Sequence, residues 1–187
     1  MVSLFVLLPI GMIAVSTASI FIKLCDAPAL IIAAYRMVFA SLILLPYSLY
    51  KRTGRGMGRS EMGWLVLSGI LLSLHFAFWI ASLKYTSVAS SVVLVSTYPI
   101  FVGIGSWSLL KEQLGLNLIL GIILSVLGSA LVGYGDIAIS REAFLGDGLA
   151  LLGSITASGY FLVGRKMRKH QDLLSYIFPV YSTAGLV

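Results

Sequence analysis

The sequence predicts an all-α fold, a polytopic bundle of membrane helices, and three observations point to it. First, 59% of the 187 residues are hydrophobic and only 11% are charged, against about 25% charged in an average soluble domain. Second, the apolar residues are gathered in long runs, at 3–24, 27–50, 63–83, 88–110, 116–134 and 143–163, with a seventh from 173 onward. A helix rising about 1.5 Å per residue needs about 20 apolar residues to cross a hydrocarbon core of about 30 Å. Third, the basic residues fall in alternate connections. Lys51, Arg52, Arg55, Arg59, Lys111, Arg165, Lys166, Arg168 and Lys169 belong to one side, and Lys23, Lys84 and Arg141 to the other. Basic connections stay in the cytoplasm, so the chain is expected as a multi-pass protein with its N-terminus cytoplasmic; a bacterial or archaeal inner membrane is the expected location.

The first run is preceded by no basic segment, so it reads as a retained helix and not a cleaved signal. Lys23 and Leu24 stand before Cys25 where a lipoprotein site would need small residues. Cys25 is the single cysteine, which rules out a disulfide framework and a cysteine metal site. The seventh run is still apolar at Val187 and too short to span, so it reads as truncated. The net charge of +6 would suggest nucleic acid in a soluble protein. Here the basic residues are dispersed between membrane runs, and nucleic-acid binding is not expected.

Chemistry is sparse at membrane depth. The acidic residues Asp26, Glu61, Glu112, Asp136, Glu142, Asp147 and Asp172 all read as helix ends or connections. A buried carboxylate carrying a proton is therefore not expected. Nor is a catalytic carboxylate pair, a G-x-S-x-G nucleophile or a Walker motif found. The chain reads as no enzyme, with no cofactor and no metal.

Arg36 is the exceptional charge, about 13 Å into the second run. A charge there costs at least about 2.5 kcal/mol, so it should face water or a partner. Three roles stay open: bonding helix-end carbonyls, binding a substrate carboxylate or phosphate, or gating. On the third run Ser68, His75, Trp79 and Ser82 share one helical face. His75, about 18 Å along, is either an interhelical hydrogen bonder, a lining residue or a proton acceptor near neutral pH. Trp79 suits packing as well as binding.

The fourth run places Ser91 and Tyr98 one heptad apart, with Thr97 beside Pro99, which frees a carbonyl in mid-helix. The first run offers Ser16, Thr17 and Ser19, and the sixth Ser154, Thr156 and Ser158. Singly such residues bind helices together, but they converge near one depth. The candidate substrate-binding residues are therefore Arg36, His75, Trp79, Thr97, Tyr98, Ser19 and Ser158. Gly121, Ser125 and Gly128 give the fifth run a small-residue face, for close packing within the bundle or for a homodimer through that helix.

Thr17-Ala18-Ser19 recurs as Thr156-Ala157-Ser158, with Phe21 matched by Tyr160. The second lies five helices after the first, so a second copy would start on the opposite face of the membrane. The expected domains are residues 1–134, a first five-helix repeat, and 143–187, the start of an inverted second one. A five-helix repeat calls for ten helices in the whole protein.

Ser87-Val88-Ala89-Ser90-Ser91 after Leu83-Lys84-Tyr85-Thr86 resembles the opening of the fourth helix in EamA-type drug/metabolite transporters. Tyr98-Pro99-Ile100-Phe101, Lys111-Glu112-Gln113-Leu114 and the run from Gly121 to Gly128 extend the resemblance, as does Gly146-Asp147-Gly148-Leu149-Ala150-Leu151-Leu152-Gly153 before Arg165-Lys166. The resemblance implies ten helices in two inverted repeats and transport of small metabolites, often outward, around a central cavity. The expected function is a secondary-type exporter of small, amino-acid-like metabolites working by alternating access in the lipid bilayer. The rival is a membrane scaffold or receptor-like subunit that transports nothing.

Overall fold

The computed structural model describes residues 4–51, 58–137, 140–168 and 171–187. Among them every regular element is a helix, in the order α1 (Leu4–Leu24), α2 (Ala29–Lys51), α3 (Arg59–Tyr85), α4 (Val88–Val95), α5 (Tyr98–Ser108), α6 (Leu116–Ile137), α7 (Arg141–Met167) and α8 (Leu173–Leu186). The all-α membrane bundle expected from the sequence is the fold found. Among the described residues, five spans are long and apolar enough to cross a bilayer: α1, α2, α3, α4 with α5, and α7. Two further apolar helices accompany them, α6 and α8. Of the basic residues used to orient the chain, Arg52, Arg55 and Lys169 lie outside the described residues.

Local chemistry sets the helix starts. Ser87, Ser140 and Asp172 each accept the N–H three residues on, from Ser90, Ala143 and Ser175, at 3.0, 3.1 and 3.2 Å. Each bond satisfies one of the amides that a first helical turn leaves without a partner. The hydrogen bonds from Ser175 also hold the exposed Asp172 carboxyl below the usual carboxylate range. Glu61 does the same work at α3, accepting from the Gly58 amide at 3.0 Å. The caps make α3 and α7 longer than their apolar runs.

The fourth run is not one continuous helix, as the sequence reading had it. It breaks at Ser96 and Thr97 into α4 and α5. Pro99 has no N–H to donate back to the preceding turn. The chain tightens there: the Thr97 amide reaches Leu94 O at 3.2 Å, and the Thr97 hydroxyl donates to the same carbonyl at 2.6 Å. Ser91 and Tyr98 consequently sit on different helices. Asp147 is a second correction. It lies not at a helix end but in the second turn of α7, 6% exposed, because the Ser140 cap starts that helix at Arg141.

Helix α3 is the axis of the bundle, and α7 is its principal partner; α8 packs on α2 and α3, and α4 and α5 pack on α7. Side-chain and backbone approaches give the directions. Gly159 meets Leu71, Gly153 meets His75 and Trp79, and Gly146 meets Thr86. Helices α3 and α7 are therefore antiparallel. Lys23, at the end of α1, donates to the carbonyls of Leu83 and Thr86 at the end of α3, so α1 runs parallel to α3. It follows that α1 and α7, which carry the two Thr-Ala-Ser segments, point in opposite directions.

The same contacts sort the charges. Lys166 stands 3.9 Å above the ring of Trp64 near the start of α3, and Arg165 pairs with Glu112 at 2.9 Å. Lys23 and Lys84 lie at the other end of α3, where Lys84 donates to the Ala27 carbonyl. The bundle thus has a basic end and a less basic one.

Helix α7 approaches α3 through small residues. Gly146, Ala150, Gly153 and Ala157 recur at helical spacing and are buried. A Cβ at Gly146 would stand 2.7 Å from both the amide nitrogen and the Cβ of Thr86. On α6, by contrast, a Cβ at Gly121 or Gly128 meets nothing within 4 Å. Gly146→Ala is therefore expected to destabilise the protein by about 1–3 kcal/mol through overpacking. Gly121→Ala should leave it unchanged or slightly more stable, since alanine favours helix. Thermal unfolding of both variants in detergent reads the difference; equal melting temperatures would show that the α3–α7 approach is not tight.

Candidate substrate site

Three helices bring the first group of polar residues together. Arg36 projects from α2 toward α3, where its guanidinium carbon lies 4.9 Å from the Phe76 ring centre and 5.5 Å from that of Trp79. His75 is tilted on Phe76 at 4.9 Å and stacked with Trp79 at 6.1 Å. The His75 Nδ1 lies 2.9 Å from the Gly153 carbonyl of α7. A carbonyl only accepts, so Nδ1 carries the hydrogen and Nε2 is the atom left to take a proton. This neighbour is present because Gly153 lets the backbone of α7 reach α3.

Arg36 has no ion-pair partner among the described residues. Its neighbours are aromatic, which fits the expectation that it should face water or a partner. A desolvated cation over a ring gains about 2 kcal/mol, and two rings can offset most of the cost of a charge at that depth. Two donors are nevertheless left over. Arg36 Nη1 and Trp79 Nε1 are both buried without a hydrogen-bond partner. Both can donate and neither can accept.

The remaining predicted residues lie elsewhere. Thr97, at the α4–α5 break, is buried and its hydroxyl meets Ser154 Oγ of α7 at 3.0 Å. Ser158, four residues past Ser154, bonds back to the Ile155 carbonyl at 2.6 Å. Ser19 is buried on α1, one turn before Ile22, which packs on Trp79, Ile80 and Leu83. On α3, Ser68 bonds the Tyr176 hydroxyl and Ser82 meets Ser91 at 2.6 Å, so these serines join helices. Asp147 accepts from the Thr86 hydroxyl at 3.0 Å and ties α7 to the end of α3.

Tyr98 opens onto a different feature, a cavity of about 700 Å³ between α5, α7, α8 and the connection at Glu112–Leu114. Of the seven predicted residues, Tyr98 alone lines it. Its wall is a chain of rings, Tyr98 on Phe161 at 4.9 Å, Phe161 against Tyr160 at 5.1 Å, and Tyr160 on Tyr176 at 6.2 Å. Arg165 and Arg168 stand at its basic end. Sequence reasoning missed Phe76, Phe161 and Tyr176. Phe76 was the recoverable one, three residues before Trp79 and therefore on its face.

The chain is a multi-helix membrane bundle with buried polar groups on several helices. The chain belongs to the EamA-like transporter family, which it matches over residues 2–134. It is 31% identical to an uncharacterized transporter of Archaeoglobus fulgidus, over 93% of this chain and 62% of that one. It is also 30% identical to solute carrier family 35 member G1 of Homo sapiens, over 92% of this chain and 50% of the relative. The mouse protein of the same name is 30% identical over 91% of this chain and 49% of its own length. The chain thus spans between about half and two thirds of these relatives. No solved structure matches it.

The aromatic seat of Arg36 can be measured. Phe76→Leu keeps an apolar side chain but removes the ring face. In a double-mutant cycle with Arg36→Met, thermal stability should show a coupling of about 0.5–2 kcal/mol between the two positions. Additive effects would mean that the guanidinium gains nothing from the ring.

Proposed function

We propose that this chain carries a small metabolite bearing an anionic group across the membrane by alternating access, with Arg36 and Trp79 as the anion's donors. The observation that carries the reading is the pair of buried donors, Arg36 Nη1 and Trp79 Nε1, on side chains that meet at 5.5 Å and with no acceptor of their own. Buried polar groups without partners are costly. A substrate carboxylate would supply acceptors to both, and arginine's planar fork suits it. An amino-acid-like metabolite fits that chemistry, with its carboxylate at Arg36 and its apolar part against the Phe76 and Trp79 rings. His75 Nε2, next to the same rings, is the candidate proton acceptor.

The opposite directions of α1 and α7 support reading residues 1–134 and 143–187 as related by inverted repetition, the arrangement in which one half rocks against the other. The basic end, with Arg59, Lys111, Arg165, Lys166 and Arg168, is read as cytoplasmic, and transport as outward.

Two experiments test this. In proteoliposomes, Arg36→Lys keeps the charge and loses the fork, so it should lower carboxylate-substrate transport at least about tenfold, a loss of about 1.4 kcal/mol, with the melting temperature little changed. His75→Gln should flatten the pH dependence near neutrality. If Arg36→Lys transports normally, or simply unfolds, the arginine is structural and the chain is better read as a scaffold. For orientation, in a Cys25→Ser background, a cysteine at Arg165 should be shielded from impermeant thiol reagents in intact cells and one at Asp26 should react. The reverse labelling pattern would invert the topology.

A further inference from the structure

The cavity between α5, α7 and α8 has no part in the Arg36 cluster, and its chemistry is specific. Its volume, about 700 Å³, falls in the range of small-molecule sites, about 300–1,000 Å³. Its inner wall presents the stacked rings of Tyr98, Phe161, Tyr160 and Tyr176. Stacked and tilted rings at 4.9–6.2 Å leave their faces and edges as surfaces for another planar group.

The mouth is charged, and its charges are unequal in use. Arg165 is already satisfied, by Glu112 at 2.9 Å and by the Ser106 hydroxyl at 3.2 Å. That pair exists because Lys111 adopts the left-handed backbone conformation, φ 53°, which turns the Glu112 amide back onto the Ser106 carbonyl at 3.1 Å. Arg168, at the end of α7, makes no ion pair among the described residues. Arg165, Glu112 and Arg168 together leave one net positive charge over an aromatic pocket.

We infer that this cavity is a second binding site, for a small planar aromatic carboxylate whose ring lies on Phe161 and Tyr98 and whose anion meets Arg168. None of the residues that line it belongs to the Arg36 seat, so it can hold ligand without a contact to Arg36. An aromatic wall alone would take any apolar molecule. The unneutralised guanidinium selects an anion among them, and the Arg165–Glu112 pair keeps the second guanidinium from doing the same.

The test uses the purified protein in nanodiscs, titrated calorimetrically with 1-naphthoate and with its neutral counterpart 1-naphthalenemethanol. Saturable binding of 1-naphthoate near one per chain is expected, several-fold tighter than the alcohol. Arg168→Gln changes an exposed residue outside the packed core, and should weaken 1-naphthoate about tenfold while leaving the alcohol unchanged. Phe161→Leu should weaken both. Arg36→Gln should alter neither, and this separates the inference from the fate of the Arg36 reading. The inference is overturned if binding never saturates beyond lipid partition, if Arg168→Gln binds 1-naphthoate like the parent, or if Arg36→Gln abolishes binding.

Discussion

The close approach of α7 to α3 is the contact on which the other arrangements depend. In lipid there is little hydrophobic drive to bring helices together, so association rests on surface fit and on hydrogen bonds between them. Gly146, Ala150, Gly153 and Ala157 supply the fit, since each lets backbone come near backbone. Three polar ties then cross or flank the seam at different depths: Tyr176 with Ser68, Gly153 with His75, and Asp147 with Thr86. Because the seam is long and antiparallel, it also sets where α7 offers Ser154 to Thr97 and Phe161 to Tyr98.

Arg36 shows how a membrane protein can keep a charge at depth without a carboxylate beside it. The rings of Phe76 and Trp79 face the guanidinium and supply negative π-surface in place of an anion. Such a seat stabilises the cation but leaves its N–H groups largely unspent. A carboxylate of the protein would have consumed them. The arrangement therefore keeps a charge and an unspent donor, Arg36 Nη1, in one place.

The α4–α5 break does a second kind of work. A continuous helix would hold Tyr98 in the register of Ser91 and direct both at the same neighbours. Pro99 removes the donor that would continue the helix, and Thr97 closes the freed turn with its own hydroxyl. Tyr98 is thereby released to stack on Phe161 and to form the inner end of the ring-lined cavity.

Much of the fold was legible in the chain because lipid imposes a simple rule: a spanning helix must be apolar for about 20 residues. Composition and the spacing of basic clusters were enough for the class of fold and for the number of runs. Helical periodicity likewise placed Ser68, His75, Trp79 and Ser82 on one face, and depth alone marked Arg36 as exceptional. Periodicity says which residues share a face, but it is silent about what that face meets. It could not tell that Arg36 would rest on Phe76, that Gly153 would hand its carbonyl to His75, or that Asp147 would be buried in the second turn of α7. Nor could it assemble Tyr98, Phe161, Tyr160 and Tyr176 into one wall, since these rings come from three helices. Those facts depend on how closely helices approach and at what crossing, which small residues and a broken helix decide only once the bundle is packed.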